Sequence, residues 1–184
     1  AVLCLWAITG NLDVPGGLVF RPRSPAKFPR IRLKPPKGVK PIGADRYPYF
    51  CDVLKSAQFM EAPKAILQGD PYPVKPLLVF GASLLTNLPN PDLWKQCFKQ
   101  LDFMVVYDRF MTADAMYADI VLPATTNYEN VGYQRYPGGF CQIRQRAIKP
   151  IEEAKSGYTF LTTLAKGLGY GDLFPPTDEE RLKF

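Results

Sequence analysis

The sequence predicts an α/β fold in which a parallel sheet carries helices on both faces. Three short apolar runs, at residues 77–80, 103–107 and 120–122, alternate with amphipathic segments. This alternation indicates parallel strands, because each crossover must return the chain to the same edge of the sheet. Ligands of such sheets lie beyond the carboxyl ends of the strands. The residues that follow the first two runs are therefore the first candidates for function.

The chain ahead of the sheet is predicted to contain three helical pieces. Residues 1–9 are typical of the last turns of a helix, since Gly10-Asn11 follows as a left-handed cap. Residues 48–68 hold two further pieces with apolar faces, and Pro71-Tyr72-Pro73 ends the second. The chain then enters the first strand.

Between the first and second apolar runs, residues 92–101 are predicted to form an amphipathic helix. Its expected buried positions are Leu93, Cys97 and Leu101. Between the second and third runs, a short helix is expected over residues 113–118.

Beyond the sheet, residues 125–139 are predicted to be a loop or hairpin, and residues 158–169 a final amphipathic helix. Four residues of that helix are expected to point inward: Leu161, Leu164, Ala165 and Leu168. We divide the chain into an N-terminal part (1–47), an α/β domain (48–169) and a polar tail (170–184).

Composition favours a globular domain. Of the 184 residues, 47% are hydrophobic and 22% charged, and no stretch approaches the roughly 20 apolar residues that a membrane helix requires. The chain starts with a short apolar segment and without Met. We expect it to be a piece of a longer protein.

The formal net charge of +6 comes from one segment of the chain. Residues 21–40 carry eight Lys and Arg residues and no acid, and without those eight charges the net charge of +6 becomes −2. Five prolines in the same segment favour extended structure, so we expect no helix longer than one turn and a surface position. The segment is either an arm that contacts phosphates or an acidic partner, or a solvated loop.

Metal and histidine chemistry is not indicated. The four cysteines lie far apart, without the short spacing of zinc or iron–sulfur sites, and the chain has no histidine. We predict neither a metal ligand nor a catalytic residue, and buried free thiols are favoured over disulfides.

Five residues at the predicted strand ends are candidates for nucleotide binding: Gly81, Ala82, Ser83, Asp108 and Thr112. Asp108 follows a strand directly, and its carboxylate could accept the N1–H and amino group of a guanine. Thr112 could cap the short helix that follows it, and the small residues 81–83 would let a nucleotide approach the backbone. Alternatively, Asp108 and Thr112 only cap local turns and Gly81 only permits a bend.

At these residues the chain resembles the molybdopterin oxidoreductases, a family that includes formate dehydrogenases, nitrate reductases and dimethyl sulfoxide reductases. The resemblance spans nearly the whole chain and is most specific around Asp108, Thr112 and residues 118–123. It rests on these segments: Thr9-Gly10-Asn11, Pro15-Gly16-Gly17, residues 71–75, 101–112, 117–124 and 129–132, Gln142, Ala147, Pro150, Leu164-Ala165 and Leu168-Gly169.

The resemblance implies a Rossmann-like domain, one of two that each hold the guanosine end of a molybdopterin guanine dinucleotide. Two such cofactors carry a molybdenum or tungsten atom. By position, Asp108 would contact the guanine, Thr112 would support the nucleotide, and Gly81 would border it. Iron–sulfur ligands, the metal-ligating side chain and a C-terminal barrel would come from the rest of the parent chain. We expect the isolated piece to hold no cofactor and to catalyse nothing, and its partners to be those domains and an electron-transfer subunit.

Three positions depart from the family pattern. Ser83-Leu84 stands where the family usually has Asn-Pro, Ala113 stands where it has Glu, and residues 136–140 replace an Asn-x-Glu-Gly-Arg pattern. These departures predict an altered grip on the cofactor. Ser83-Leu84 also keeps open a second hypothesis, a non-catalytic structural domain related to the large iron–sulfur subunit of NADH dehydrogenase. A third hypothesis is a nucleic-acid-binding module built on residues 21–40, although that segment has no aromatic residue beyond Phe28 that could stack on bases.

Overall fold

In a computed structural model, residues 2–18, 38–54, 56–135 and 141–181 are described. Most of the basic proline-rich segment, namely residues 21–37, lies outside these ranges. The prediction that this segment is extended and exposed is thus not tested there. Within the part that is described, residues 38–40 are exposed and do not form a helix.

Three parallel strands form the central sheet, in the order β1-β2-β3. They are β1 (Pro76–Phe80), β2 (Phe103–Asp108) and β3 (Ile120–Pro123). Val79 pairs with Val106, and Val106 pairs with Val121. The predicted parallel arrangement and the three predicted strand positions are confirmed.

Helices occur at the other predicted places, and a hairpin begins within the region predicted to be a loop or hairpin. The antiparallel hairpin pairs β4 (Gly132–Arg135) with β5 (Cys141–Arg144). The helices are α1 (Val2–Ile8), α2 (Pro48–Leu54), α3 (Ala62–Gln68), α4 (Leu84–Asn87), α5 (Pro91–Gln100), α6 (Gly157–Gly167) and α7 (Asp178–Arg181). Single 3₁₀ turns occur at Phe59–Glu61, Ala115–Tyr117 and Gly171–Leu173. Two short helices, α4 and α7, were not predicted, and the predicted short helix over residues 113–118 is only a 3₁₀ turn.

One face of the sheet packs against α3 and α5. Asn90 caps α5 by accepting a hydrogen bond from the Leu93 N–H, and Pro91 occupies the first helical position, where its missing N–H costs nothing. The core on this face includes Val79, Met104 and Val106 from the strands and Trp94, Cys97 and Phe98 from α5. Cys97 was predicted to be buried. Trp94 and Phe98 take the positions nearest the sheet, and the predicted Leu93 and Leu101 are only half-buried.

The opposite face carries α6, so helices lie on both sides as predicted. Phe160 stacks on Tyr107 and Phe80, with ring centroids 5.2 and 6.0 Å apart. Gly157 permits this approach, because a β-carbon there would lie 2.6 Å from a ring carbon of Phe80. Burial raises the pKa of the Tyr107 hydroxyl; the Asp178 carboxylate acts in the same direction and Arg109 in the opposite one. The hydroxyl donates a hydrogen bond to the Lys155 carbonyl oxygen at 2.8 Å.

The predicted inward face of α6 is wrong for its three leucines. Leu161, Leu164 and Leu168 are 46%, 43% and 65% exposed. The reason is that α6 contacts the sheet through its first turn, at Gly157 and Phe160. The spacing of the apolar residues had predicted that the contact would lie further along the helix.

All four cysteines are free, with Cys51 and Cys97 buried and Cys4 and Cys141 exposed. Burial raises the pKa of the Cys97 thiol, which keeps it protonated. Among the described residues there is no group of three or more side chains that could hold a metal ion. No described helix is both long enough and apolar enough to span a bilayer.

Candidate functional site

The sheet register places the ends of β1 and β2 side by side. Phe80 pairs with Tyr107, and the Gly81 N–H donates to the Tyr107 carbonyl at 2.9 Å. The loop after β1 (residues 81–83, the β1 loop) and the loop after β2 (residues 109–114, the β2 loop) therefore leave the same edge of the sheet. The sequence-based prediction that these residues would lie together follows from this pairing.

The β1 loop presents backbone to solvent at its first residue. Gly81 has a left-handed φ of 58°, is exposed, and has no atom within 4 Å of the position a β-carbon would take. Ala82 is also exposed. Ser83 is half-buried and turns inward, since its hydroxyl donates to Asp114 Oδ1 at 3.2 Å. A ligand could approach the backbone of Gly81 closely, and the hydroxyl proton of Ser83 is already in use.

Asp108 is half-buried and holds a turn with one carboxylate oxygen. Its Oδ1 accepts the N–H of Arg109 at 2.6 Å and the N–H of Phe110 at 3.1 Å. No described residue donates to Oδ2. The turn-capping alternative is thus part of what the residue does. The two backbone bonds also fix the carboxylate in place, and they leave Oδ2 available to a ligand.

Thr112 caps the 3₁₀ turn that follows it. Its Oγ1 accepts a hydrogen bond from the Ala115 N–H at 3.3 Å, as the capping prediction anticipated. With this bond made, Thr112 shapes the β2 loop, and its hydroxyl proton remains free to donate.

The sequence analysis did not single out Asp114, the last residue of the β2 loop. Its side chain is completely buried, and its Oδ2 accepts the Leu84 N–H at 2.5 Å while its Oδ1 accepts the Leu85 N–H at 3.0 Å and the Ser83 hydroxyl. The three donors lie at the start of α4, about thirty positions earlier in the chain. No local motif could have indicated this contact, because the capping residue and the helix are on different crossovers.

A second concave region lies on the α6 side of the sheet and was also not predicted. This cavity of about 610 Å³ borders Phe80, the start of α6, the β4–β5 hairpin and α7. Arg144 donates to Asn130 at 2.8 Å, and Arg181 lies 3.4 Å from Asp178 and over the Tyr158 ring. The cavity walls combine apolar side chains with side chains of both charges. None of the five predicted site residues lines it.

A further carboxylate, Glu129, fixes the chain after β3. It accepts the N–H of Thr126 at 2.6 Å and the N–H of Ile151 at 2.9 Å. The Thr126 N–H is the main cause that lowers the pKa of Glu129, with the Ile151 N–H acting in the same direction against burial. Glu129 therefore stays ionised, and its two hydrogen bonds connect the residues after β3 to the segment that precedes α6.

Comparison with known proteins gives consistent similarities. The model of the molybdopterin oxidoreductase family matches residues 51–167. A probable oxidoreductase of Bacillus subtilis, YoaE, is 31% identical over 174 residues, which is 93% of this chain and 24% of that protein. The alpha subunit of an F420-dependent formate dehydrogenase from Methanocaldococcus jannaschii is 35% identical over 101 residues, covering 55% of this chain and 15% of that subunit.

A solved structure supports the same similarity. Acetylene hydratase from Pelobacter acetylenicus superimposes with a TM-score of 0.63 at 30% sequence identity. The match covers 69% of this chain and 18% of the hydratase chain. The chain thus spans about a quarter or less of each of these proteins.

Proposed function

The chain belongs to the molybdopterin oxidoreductase family, and we propose that its sheet edge holds the guanosine end of a molybdopterin guanine dinucleotide. The molybdenum or tungsten that such cofactors carry would supply the redox chemistry. The residues of this chain bind and orient the nucleotide, and none of them is assigned a catalytic step. The parent protein is an oxidoreductase in this proposal, completed by further domains and an electron-transfer subunit, and the isolated 184 residues are inactive.

The observation that carries the proposal is the state of Asp108. Its Oδ1 is fixed by two backbone N–H groups, and its Oδ2 has no donor within the described part of the chain. A carboxylate held in this way does not have to be ordered when a ligand arrives, which lowers the entropic cost of binding. Guanine presents two adjacent donors to it. Adenine presents one donor beside an acceptor, which a carboxylate repels.

The β1 loop supports the same assignment. Gly81 lies next to the end of β2 and leaves open space where a side chain would otherwise stand. A ribose or phosphate could contact its backbone there. Thr112 keeps its hydroxyl proton for a ligand acceptor while its oxygen caps the 3₁₀ turn. These residues fit a nucleotide.

The family match and the relatives named above favour this proposal over the two other hypotheses. The nucleic-acid hypothesis rested on residues 21–40, most of which lie outside the described ranges. The structural-subunit hypothesis rested on Ser83-Leu84. In this chain the Ser83 hydroxyl points to Asp114, so that departure changes how the β1 loop is held while Asp108 remains available.

The test is a titration with guanosine and adenosine diphosphates, followed by backbone amide shifts. In the native chain we expect guanosine to bind at least about tenfold more tightly, since a mismatched donor or acceptor leaves buried groups unpaired at roughly 1–3 kcal/mol. Asp108→Asn keeps an oxygen for the turn and replaces the other oxygen with an amide donor. The preference should then fall or reverse, because the amide faces the two donors of guanine but can donate to N1 of adenine.

The matched control is Asp102→Asn. Asp102 is also a carboxylate at an end of β2, but it precedes the strand and pairs with Lys75 at 2.8 Å. It should leave the nucleotide preference unchanged. Equal responses to both nucleotides in the native chain, or an unchanged preference in Asp108→Asn, would show that Asp108 is only a turn residue.

A further inference from the structure

The two loops of the candidate site are joined by one buried carboxylate. We propose that Asp114 is a positioning residue that holds the β1 loop against the β2 loop, and so sets the distance between Gly81 and Asp108. The inference rests on the proposed function for its consequence in nucleotide binding. Its structural part stands on contacts of this chain alone.

The helix α4 lacks a cap from the side chain of the residue that precedes it. Ser83 is the residue before this helix, in an extended conformation with φ −132° and ψ 109°, yet its side chain makes no capping bond to the helix. The first N–H groups of a helix have no partner within it and need an acceptor. Asp114 supplies that acceptor for Leu84 and Leu85 from across the sheet edge.

The buried carboxylate of Asp114 carries a charge that needs compensation. Asp114 is fully buried, and no described Lys or Arg side chain forms an ion pair with it. Its charge is therefore balanced by the two N–H groups, the Ser83 hydroxyl and the surrounding dipoles. A buried carboxylate without these donors is strongly unfavourable. A movement of either loop away from this arrangement would therefore remove donors that compensate the charge.

The contact of Asp114 with the start of α4 lies close to both loops of the candidate site. Asp114 lies two positions after Thr112, and the next residue, Ala115, donates to the Thr112 hydroxyl. Ser83 lies two positions after Gly81. A displacement of Asp114 therefore moves the capped turn on one side and the exposed glycine on the other. Asp108 itself is tied to β3 by the Ala124 N–H, which donates to its carbonyl at 3.1 Å.

The backbone N–H of Leu84 is the reason why this chain needs the Asp114 carboxylate. Leu84 has a backbone N–H that a proline would lack, and it is buried at the start of α4. The extended conformation of Ser83 is close to the one that a residue before proline adopts, and the first helical position accepts proline. Leu84→Pro should therefore remove the donor without opposing the backbone, and with it part of the need for Asp114.

The experiment compares Asp114→Asn, Ser83→Ala and Leu84→Pro, alone and as the double variant Leu84→Pro/Asp114→Asn. In Asp114→Asn we expect the Leu84 and Leu85 amides to exchange at least about tenfold faster, as the loss of one charge-assisted bond implies. The amide shifts of Gly81 and of residues 108–112 should change together. Ser83→Ala removes only one of the three bonds and should give the same changes at smaller size, which secures a result if Asp114→Asn folds poorly.

Binding and coupling provide the second readout. Guanosine diphosphate affinity should fall about tenfold in Asp114→Asn. In the Leu84→Pro background the same substitution should cost clearly less, because the donor it leaves unpaired is gone. The control is Asp119→Asn, which removes a similar bond, from the Met104 N–H at 2.6 Å, at the opposite edge of the sheet. It should alter exchange near Met104 and leave the affinity unchanged.

Two results would overturn the inference. In the first, Asp114→Asn changes only Leu84 and Leu85 while Gly81 and residues 108–112 keep their native shifts, so that Asp114 is merely a cap. In the second, Asp119→Asn shifts the same loops or weakens binding equally, so that general destabilisation explains the effect. If the native chain does not respond to guanosine diphosphate, the proposed function fails, and the exchange, shift and coupling data still decide the role of Asp114.

Discussion

The two faces of the sheet are covered in different ways. On the α3–α5 face, Val79 and Val106 are 3% and 0% exposed, and Trp94 fills the space above them. On the α6 face, their neighbours Phe80 and Tyr107 form an aromatic stack with Phe160, and Phe80 remains 40% exposed. One face is a closed hydrophobic core, whereas the other is a narrow contact at a single helix turn.

The difference indicates where stability comes from and where the chain is adjustable. Burial of apolar area is the main source of folding free energy, so the α3–α5 face should dominate the stability of the domain. The α6 face borders the cavity, and Leu161 and Leu164 of α6 and Leu168 just after it are exposed. Substitutions on the two faces should therefore differ strongly in cost, and three of them separate the faces.

The largest effect is expected for Trp94→Ala on the closed face. Trp94 is completely buried and stacks on Phe59 at 5.3 Å, so its truncation leaves a large cavity. The free energy of unfolding should fall by about 3–5 kcal/mol, measured by urea denaturation. A loss below about 1 kcal/mol would mean that the face is not closed as described.

An intermediate effect is expected for Gly157→Ala on the open face. The added methyl group would lie 2.6 Å from Phe80 and must displace the ring or α6, which should cost about 1–3 kcal/mol. Gly167→Ala is the matched control in the same helix, because no atom lies within 4 Å of its β-carbon position. That change should be neutral or stabilising by roughly 0.5–1 kcal/mol. Equal costs for both alanines would contradict the close approach of α6 to the sheet.

The smallest effect is expected for Leu168→Gln. This residue is 65% exposed just after α6, although the sequence periodicity predicts it to be buried. Its substitution should change the free energy of unfolding by less than about 0.5 kcal/mol. A loss of several kcal/mol would support the sequence periodicity against the structure, and it would show that α6 packs along its length.

The fold could be read from the sequence where the signal is local. Runs such as 103–107 are apolar on both sides of the strand, which is typical of a sheet covered on both faces, and Asn90-Pro91 marks the start of α5. Gly69 ends α3 with a left-handed φ of 71°, as expected for a glycine cap. The division into residues 1–47, 48–169 and 170–184 stays a prediction.

The position of the candidate residues at the strand ends was predictable, whereas the hydrogen bonds that connect them were not, and their role in binding stays a prediction. Asp108, Thr112 and Gly81 were identified because strand ends converge at one edge of a parallel sheet, and the proposal for their ligand extends the family resemblance. The inward turn of Ser83 could not be identified in this way, because it depends on an acceptor thirty positions away.

By itself, then, the sequence determined the three parallel strands, the helix α5 between the first two, and which candidate residues follow the strand ends. These features follow from hydrophobic periodicity and from turn residues, which act over a few positions along the chain. The tertiary structure alone decided that Asp114 caps α4 and that α6 contacts the sheet through Gly157 and Phe160. Both contacts depend on how distant crossovers meet above the sheet, and that is set by packing and register in three dimensions.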